Sequence, residues 1–562
     1  MSQGINQSQS QLAHLLPQHP SRATYFYHMR VKRVLPLFWI GLLLVTIIGC
    51  ARRGSPQGGD RDTTPPRIVR VIPGTGLVNF SEDEIRIQFN EYVKFKDLQK
   101  QLVISPPLEK QPIITPQGLP SKQVKIKFLD TLASNTTYTI NFGNSIVDAT
   151  EGNVYPDYSY VFSTGPEIDS LSLRGNIRSS MSVTTPPYVS VLLYPVDEEY
   201  TDSVVYNERP YYVTKTLDSS TNFKLQNLRA GTYRLVALLD ASGDNKLDAR
   251  RDQIGFIGDP INVPTAEEFE ITLYPPELDL KFVKPNQISR RQIAFGYQGV
   301  PRGTTITPLD FPELEEDRLI PSKDTDSLIY WFRPETTRDT LTFRVVQGSY
   351  ADTLAVRMRE LPQDSMRIKA AQTQLRYNEG FWISANTPLS KLDESKMTLI
   401  DADSVPVAYR VELDSLENRA YLRFEIDEEN RYTYNLLPGA IKDMYGTEND
   451  TLKYGLRPVS RNSLSAINVT LQNVPDHNLI VQLIDANEDV KYQKIGTGQI
   501  YSFLDLIPGS YYVRIIYDAN NNDRYDTGRF LSNRQPERVV FLPALLDARS
   551  GWDLQETFAL PE

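Results

Sequence analysis

The chain has 562 residues, with 60 Lys+Arg against 70 Asp+Glu and a formal net charge of -10. That length allows several domains, and 40% hydrophobic with 23% charged residues fits folded material. The net acidity argues against a nucleic-acid partner, which is recognised by a basic face. A single Cys excludes an intramolecular disulfide and a Cys-based zinc cluster, and of 4 His only His477 lies beyond residue 28, which excludes a His-rich metal centre in the body.

Residues 1–28 are rich in Ser, Gln and His and precede a basic stretch. A signal sequence begins near its basic region, so residues 1–28 read as an annotation extension and translation is expected to start at Met29. Arg30, Lys32 and Arg33 form that basic region, and Val34 to Gly49 is apolar and uncharged. This is the layout of a secretory signal, too short to span a bilayer comfortably, which takes about 20 residues. Ile47, Ile48, Gly49 and Cys50 resemble the bacterial lipobox. The resemblance implies removal of residues 29–49, diacylglycerol on the Cys50 sulfur and usually acylation of the new N-terminus. Each buried methylene contributes about 0.8 kcal/mol, so two or three chains make a stable anchor. A signal anchor with an incidental Cys is the alternative.

Residues 50–61 are polar, contain Gly and Pro and lack periodicity, as a flexible tether does. Ala51 is not Asp, so the inner-membrane retention rule of Gram-negative lipoproteins is not met and the outer membrane is the expected destination. Arg52 and Arg53 stand where some bacteria place acidic export signals, which leaves the membrane face open.

Beyond the tether, apolar and polar residues alternate, as in Ile85, Ile87, Phe89 and in Val124, Ile126, Phe128. Period-two alternation broken by Asn, Gly and Pro reads as half-buried antiparallel strands. The expected fold is all-β: tandem antiparallel β-sandwiches behind a cleaved lipoprotein signal peptide.

Residues 62–165 open with Thr64, Pro65 and Pro66, pass Phe89 to Val93, Thr137 to Ile140 and Ile146 to Asp148, and close on Tyr160 to Thr164. The order resembles the bacterial Ig-like domain of S-layer and surface proteins (the SbsA type), whose members are mostly spacers or binding modules. A fainter copy lies at 366–460, where Tyr432 to Asn435 and Ile441 to Asp443 parallel Tyr138 to Asn141 and Ile146 to Asp148. A second repeat is clearer. Leu228, Gly231, Tyr233 and Asp240 match Leu506, Gly509, Tyr511 and Asp518, each set preceded by a Phe, Phe223 or Phe503. The pattern, over 168–276 and 462–562, resembles the transthyretin-like or carboxypeptidase-regulatory β-sandwich; there the Gly is expected to supply a tight turn. Residues 277–364 read as a further β domain without a recognised pattern.

Each matching strand leads into an acidic loop. Oxygen side chains fall at Asp240, Ser242, Asp244 and Asp248, and at Asp518, Asn520, Asn522 and Asp526. This is the 1, 3, 5, 9 spacing of calcium loops, and closely spaced hard oxygens suit calcium. Asn245 and Asp523 replace the expected Gly, and Arg251 and Arg529 replace the closing acid. An Asx-rich turn whose side chains cap their own backbone explains the same residues. His477 sits in a turn-like context, the acids from Asp310 to Asp317 read as a solvated loop, and Trp331 and Trp382 read as core.

No segment carries a catalytic motif, so the expectation is a non-catalytic scaffold or protein-binding arm, anchored in the envelope and serving an envelope protein partner, with calcium the one cofactor in view. A surface glycan-binding module and a two-carboxylate hydrolase stand as alternatives.

Overall fold

The computed structural model describes residues 61–562, apart from Ser219, Gln363, Asp364 and Glu562. Residues 1–28, the signal at 29–49, the lipobox residues Ile47, Ile48 and Gly49, and Cys50 lie outside the described residues, as does the tether up to residue 60. Thr64–Glu562 is one compact unit, and all that follows concerns it. Among the described residues no helix is long and apolar enough to cross a membrane.

The unit is built of antiparallel sheets packed face to face. In the first sandwich a sheet ordered Ile68–Ile72, Glu84–Phe95, Ser121–Lys127, Ile113–Thr115 faces a sheet of Val103–Ser105, Thr137–Asn141 and Ser159–Ser163. The alternation works as read: Ile85, Ile87 and Phe89 are buried in the core and the residues between them are exposed. The fourth sandwich repeats this plan. Ile368–Ala370, Phe381–Ala385, Arg419–Phe424 and Tyr409–Asp414 form one sheet, and Met397–Ile400, Tyr432–Leu436 and Leu452–Pro458 run side by side in the other. A shared detail supports the pairing of copies. The Tyr138 hydroxyl accepts from the Ala133 amide at 2.9 Å, and the Tyr432 hydroxyl accepts from the Asp427 amide at 2.8 Å.

The second and fifth sandwiches share one topology. In the second, the larger sheet runs Tyr212–Lys215, Ser190–Pro195, Gly231–Leu239, Gln253–Phe256; in the fifth it runs Val490–Gly496, Asn478–Ile484, Gly509–Asp518, Val539–Phe541. The smaller sheets are Asn222–Leu228, Leu171–Ser179, Glu268–Leu273 and Ile500–Leu506, Ser465–Gln472, Asp553–Ala559. In both, the first and last strands pair in parallel, an exception to the antiparallel rule. Parallel neighbours need a long crossover, and here the whole larger sheet is that crossover.

Gly231 and Gly509 begin strands and neither is left-handed; the left-handed turn residues are Asn227 and Asp505, at φ 58° and 54°. Gly231 answers to crowding, because an added Cβ would lie 3.3 Å from the Tyr233 ring. Tyr233 and Tyr511 are buried and donate back to the carbonyls of Arg229 and Ile507, at 3.0 and 2.7 Å. The amides of those same residues donate to Tyr212 and Tyr492. Paired tyrosines thus pin the turn before each central strand. Burial pushes the Tyr511 hydroxyl up to about 12, so it stays a donor at physiological pH.

Residues 277–360 form a third sandwich, with Phe295, Tyr330, Phe332 and Phe343 in its core.

Tyr511→Phe removes the hydroxyl and leaves the Ile507 carbonyl unpaired. It is expected to cost about 1 kcal/mol of local stability, read as faster hydrogen exchange of the Gly509–Asp518 amides.

Candidate functional site

The larger sheet of the second sandwich is apolar on both faces. One face, with Val191, Leu193, Tyr233 and Leu235, fills the sandwich core. The other carries Leu192, Tyr194, Val236, Leu238, Ile254 and Phe256, all buried. Val103 of the first sandwich covers part of it, and two insertions cover more. Residues 196–211 hold the short helix Val204–Asn207, whose Val205 is fully buried on that face. The second cover comes from the fifth sandwich. Between Asp526 and strand Val539–Phe541 it carries residues 527–538, where the second sandwich has only 249–252. Phe530, at 2% exposure, seats on the second sandwich with its ring centroid 5.1 Å from that of Phe256.

Polar contacts close the seam. Arg234, 3% exposed, lies over the rings of Phe256 and Phe530 at 5.1 and 5.3 Å. Its guanidinium donates to the carbonyls of Ile257 and Gly258 and to Asn533 Oδ1, with Asp202 at 3.5 Å as counter-charge. A buried arginine is tolerated only with such compensation. Gln535 donates to the Phe256 carbonyl, Arg529 pairs with Asp279, and Arg534 pairs with Glu277. From the other side, Arg514 of the fifth sandwich donates to the Met181 carbonyl at 2.8 Å and to Gln482 Oε1 at 2.8 Å. Met181 and Tyr525 pack on Ile480, Ile516 and Val539.

The two acidic loops flank this seam, each following a central strand. Asp240 accepts from the amides of Ser242, Gly243 and Asn245, and from the Ser242 hydroxyl. Asp244 accepts from the Lys246 amide, and Asp248 accepts from the Arg250 amide and the Arg251 side chain. Asp518 is fully buried and accepts from the amides of Asn522 and Asp523. Asn520 and Asn522 turn their amide nitrogens to Asp526 Oδ2, at 2.6 and 2.7 Å, and Arg524 pairs with Asp526. Glu537 caps the second loop by accepting from the amides of Ala519 and Asp526. Burial pushes the Glu537 carboxyl up, and Asp526 and Asp518 add to the shift against the pull of those amides. Here these oxygens accept hydrogen bonds from the loops' own donors and from neighbouring side chains, and among the described residues no cluster of three or more His, Cys, Asp or Glu is arranged to hold a metal.

The remaining candidates have structural partners. His477 Nδ1 lies 3.0 Å from the Asn478 carbonyl oxygen. The run from Asp310 is not simply a solvated loop. Glu316 and Asp317 begin strand Glu316–Pro321, Asp317 accepts from the Tyr330 hydroxyl, and Glu313, Glu315 and Glu316 pair with arginines. Trp331 is buried against Tyr445, and Trp382 lies under the Arg419 guanidinium. Among the described aromatics the strongly exposed ones include Tyr92 and Trp552, on the first and fifth sandwiches.

The sequence reading missed the seam. Two signals pointed to it: arginines set inside apolar strand runs, at Arg234 and Arg514, and the longer segment 527–538 in the second copy.

Residues 62–164 match the family model described as a bacterial Ig-like domain. No curated protein sequence matches the chain. Solved structures with similarity include the S-layer protein rSbsC, residues 31–844, at 11% identity and TM-score 0.14 over 86% of this chain and 67% of that one. The Bacillus anthracis TIE protein has 10% identity and TM-score 0.13, over 90% and 76%. The human desmocollin-1 ectodomain has 10% identity and TM-score 0.14, over 85% and 98%. Scores of this size carry no argument about role.

Two outcomes follow from this geometry. Phe530→Ala is expected to cost about 3 kcal/mol and to open the seam. Hydrogen exchange should quicken in Ser190–Pro195 and Gly231–Leu239, whereas exposed Leu416→Ala changes neither. Calcium titration by calorimetry is expected to give no saturable heat at millimolar concentration. A saturable heat means the Asn520 and Asn522 amides flip and Arg524 leaves Asp526.

Proposed function

We propose that this chain is a lipid-anchored, non-catalytic envelope protein whose sandwiches serve as a docking arm for a protein partner at the outer membrane. The observation that carries the reading is the coincidence of the chain's single cysteine, Cys50, with the end of a basic-then-apolar leader. The match of residues 62–164 to a bacterial Ig-like domain supports a surface or envelope setting. Support for a non-catalytic role comes from carboxylates such as Glu277, Glu316 and Asp518, which serve ion pairs and turns, and from His477, which faces a backbone carbonyl. A partner is inferred from architecture alone, since repeated sandwiches offer much surface.

The test uses the full chain with a C-terminal tag in its native envelope. Labelled palmitate should enter the wild type and not Cys50→Ser, which should leave the membrane fraction. Peptide mass spectrometry should find nothing from residues 1–28. Mild-detergent extraction should bring down one stoichiometric envelope protein. Membrane retention of Cys50→Ser overturns the anchor, and recovery of the chain alone overturns the docking role.

A further inference from the structure

A cleft of about 810 Å³ lies where the first sandwich meets the second. That volume falls within the roughly 300–1,000 Å³ of small-molecule sites. One side of its wall is apolar, formed by Leu98, Leu102, Ile104 and Ile114, Gln99, Gln111 and Gln117 make another side polar, and Leu119, 84% exposed, stands at its mouth. The only charged residues lining it are Lys94 and Lys215, in a chain whose net charge is -10. Ser242, Gly243 and Asn245 of the first acidic loop close one side.

Lys215 has little to hold its charge. It extends from strand Tyr212–Lys215, and its ammonium has one long hydrogen bond, 3.5 Å, to the Lys100 carbonyl. Burial lowers its pKa, with Asp240 acting in the opposite direction. Both Asp240 oxygens are already taken by the donors of its own loop. A half-buried cation beside a row of apolar side chains attracts an anion attached to an apolar body.

The cleft is poorly suited to an added β-strand. Its edge strand Ile113–Thr115 is flanked by Pro112 and Pro116, and Gln117 donates to the Ile114 carbonyl at 3.1 Å. Prolines and an occupied carbonyl block strand pairing. An alkyl chain needs no such backbone bonds.

We propose that this cleft binds a single-chain anionic amphiphile, with its alkyl chain along Leu98, Leu102, Ile104 and Ile114 and its carboxylate or phosphate head on Lys215. The site does not depend on the anchor at Cys50.

The test is photolabelling of the full chain in phosphatidylcholine nanodiscs with a diazirine-bearing decanoate. Label is expected within residues 94–119. Excess decanoate or decyl phosphate should suppress it, the stronger of the two identifying the head group, and decanol should not. Lys215→Met should cut labelling about tenfold, and Lys215→Arg should restore most of it. Unchanged hydrogen exchange in Gly231–Leu239 shows that these variants are folded. Should Lys215→Met fail that check, Leu102→Trp, which fills the cleft and keeps the charge, should abolish labelling. Label elsewhere, equal competition by decanol, unchanged labelling in a folded Lys215→Met, or stronger competition by an acidic peptide overturns the proposal.

Discussion

The central sheet of the second sandwich has two apolar faces and only one of them can meet its own partner sheet. Val191 and Leu193 point one way and Leu192 and Tyr194 the other, and all four are buried. A sheet buried on both sides needs a third layer, because each large apolar side chain left in water forfeits about 1.5–3 kcal/mol. The chain supplies that layer locally through Val205 and Leu247, from the first sandwich through Val103, and through Phe530, which arrives from the other copy of the same fold. The seating of Phe530 of the fifth sandwich on the second therefore answers to that otherwise uncovered surface.

The duplicated frame makes the divergence easy to place. Strand order, the parallel first-to-last pairing and the tyrosine pins coincide between the copies. The differences lie in what each copy adds. The second sandwich inserts 196–211 above its own sheet, and the fifth inserts 527–538 and extends it across. Arg234 corresponds in the repeat to Tyr512, and Arg514 to Val236. The two buried arginines thus occupy different positions of one strand pattern, each serving its own side of the seam. The smaller sheets diverge too. Arg174 and Arg178 of the middle strand pair with Glu268 and Glu270 on the second, whereas the fifth exposes Ile500 and Leu504 on its edge strand Ile500–Leu506.

Much of this was legible before the structure. Alternation at Ile85 to Phe89 marks a half-buried strand because its period equals the pleat. The Gly231 and Gly509 repeat identified two copies because the turn and the pinning tyrosine lie close in sequence. What alternation cannot report is burial on both faces. The runs from Val191 to Tyr194 and from Leu235 to Leu239 have no polar partner residues, and such runs fit any buried segment. The seam joins residues such as Arg234 and Asn533, far apart in sequence, and no local pattern encodes that. The acidic loops show the complementary difficulty: the spacing of Asp518, Asn520, Asn522 and Asp526 serves a cation or a self-closed turn equally, and only the direction of the amide groups separates them.

The same loop geometry ties the two ends of the seam together. Asp518 ends the central strand of the fifth sandwich and fixes the turn after it, and Asp526 is held by Glu537, Asn520 and Asn522. The docking segment 527–538 is thus clamped at its base, with Glu537 at one end and Asp526 beside the other. A segment ordered in advance loses less conformational entropy when its side chains bury. Phe530 reaches the second sandwich, and Arg534 reaches Glu277 at its end, from a pre-ordered segment, and that lowers the cost of joining sandwiches separated in sequence by residues 277–461. In this arrangement the acidic residues act on the architecture: they hold the strap whose aromatic residue covers the one sheet face that the second sandwich cannot cover alone.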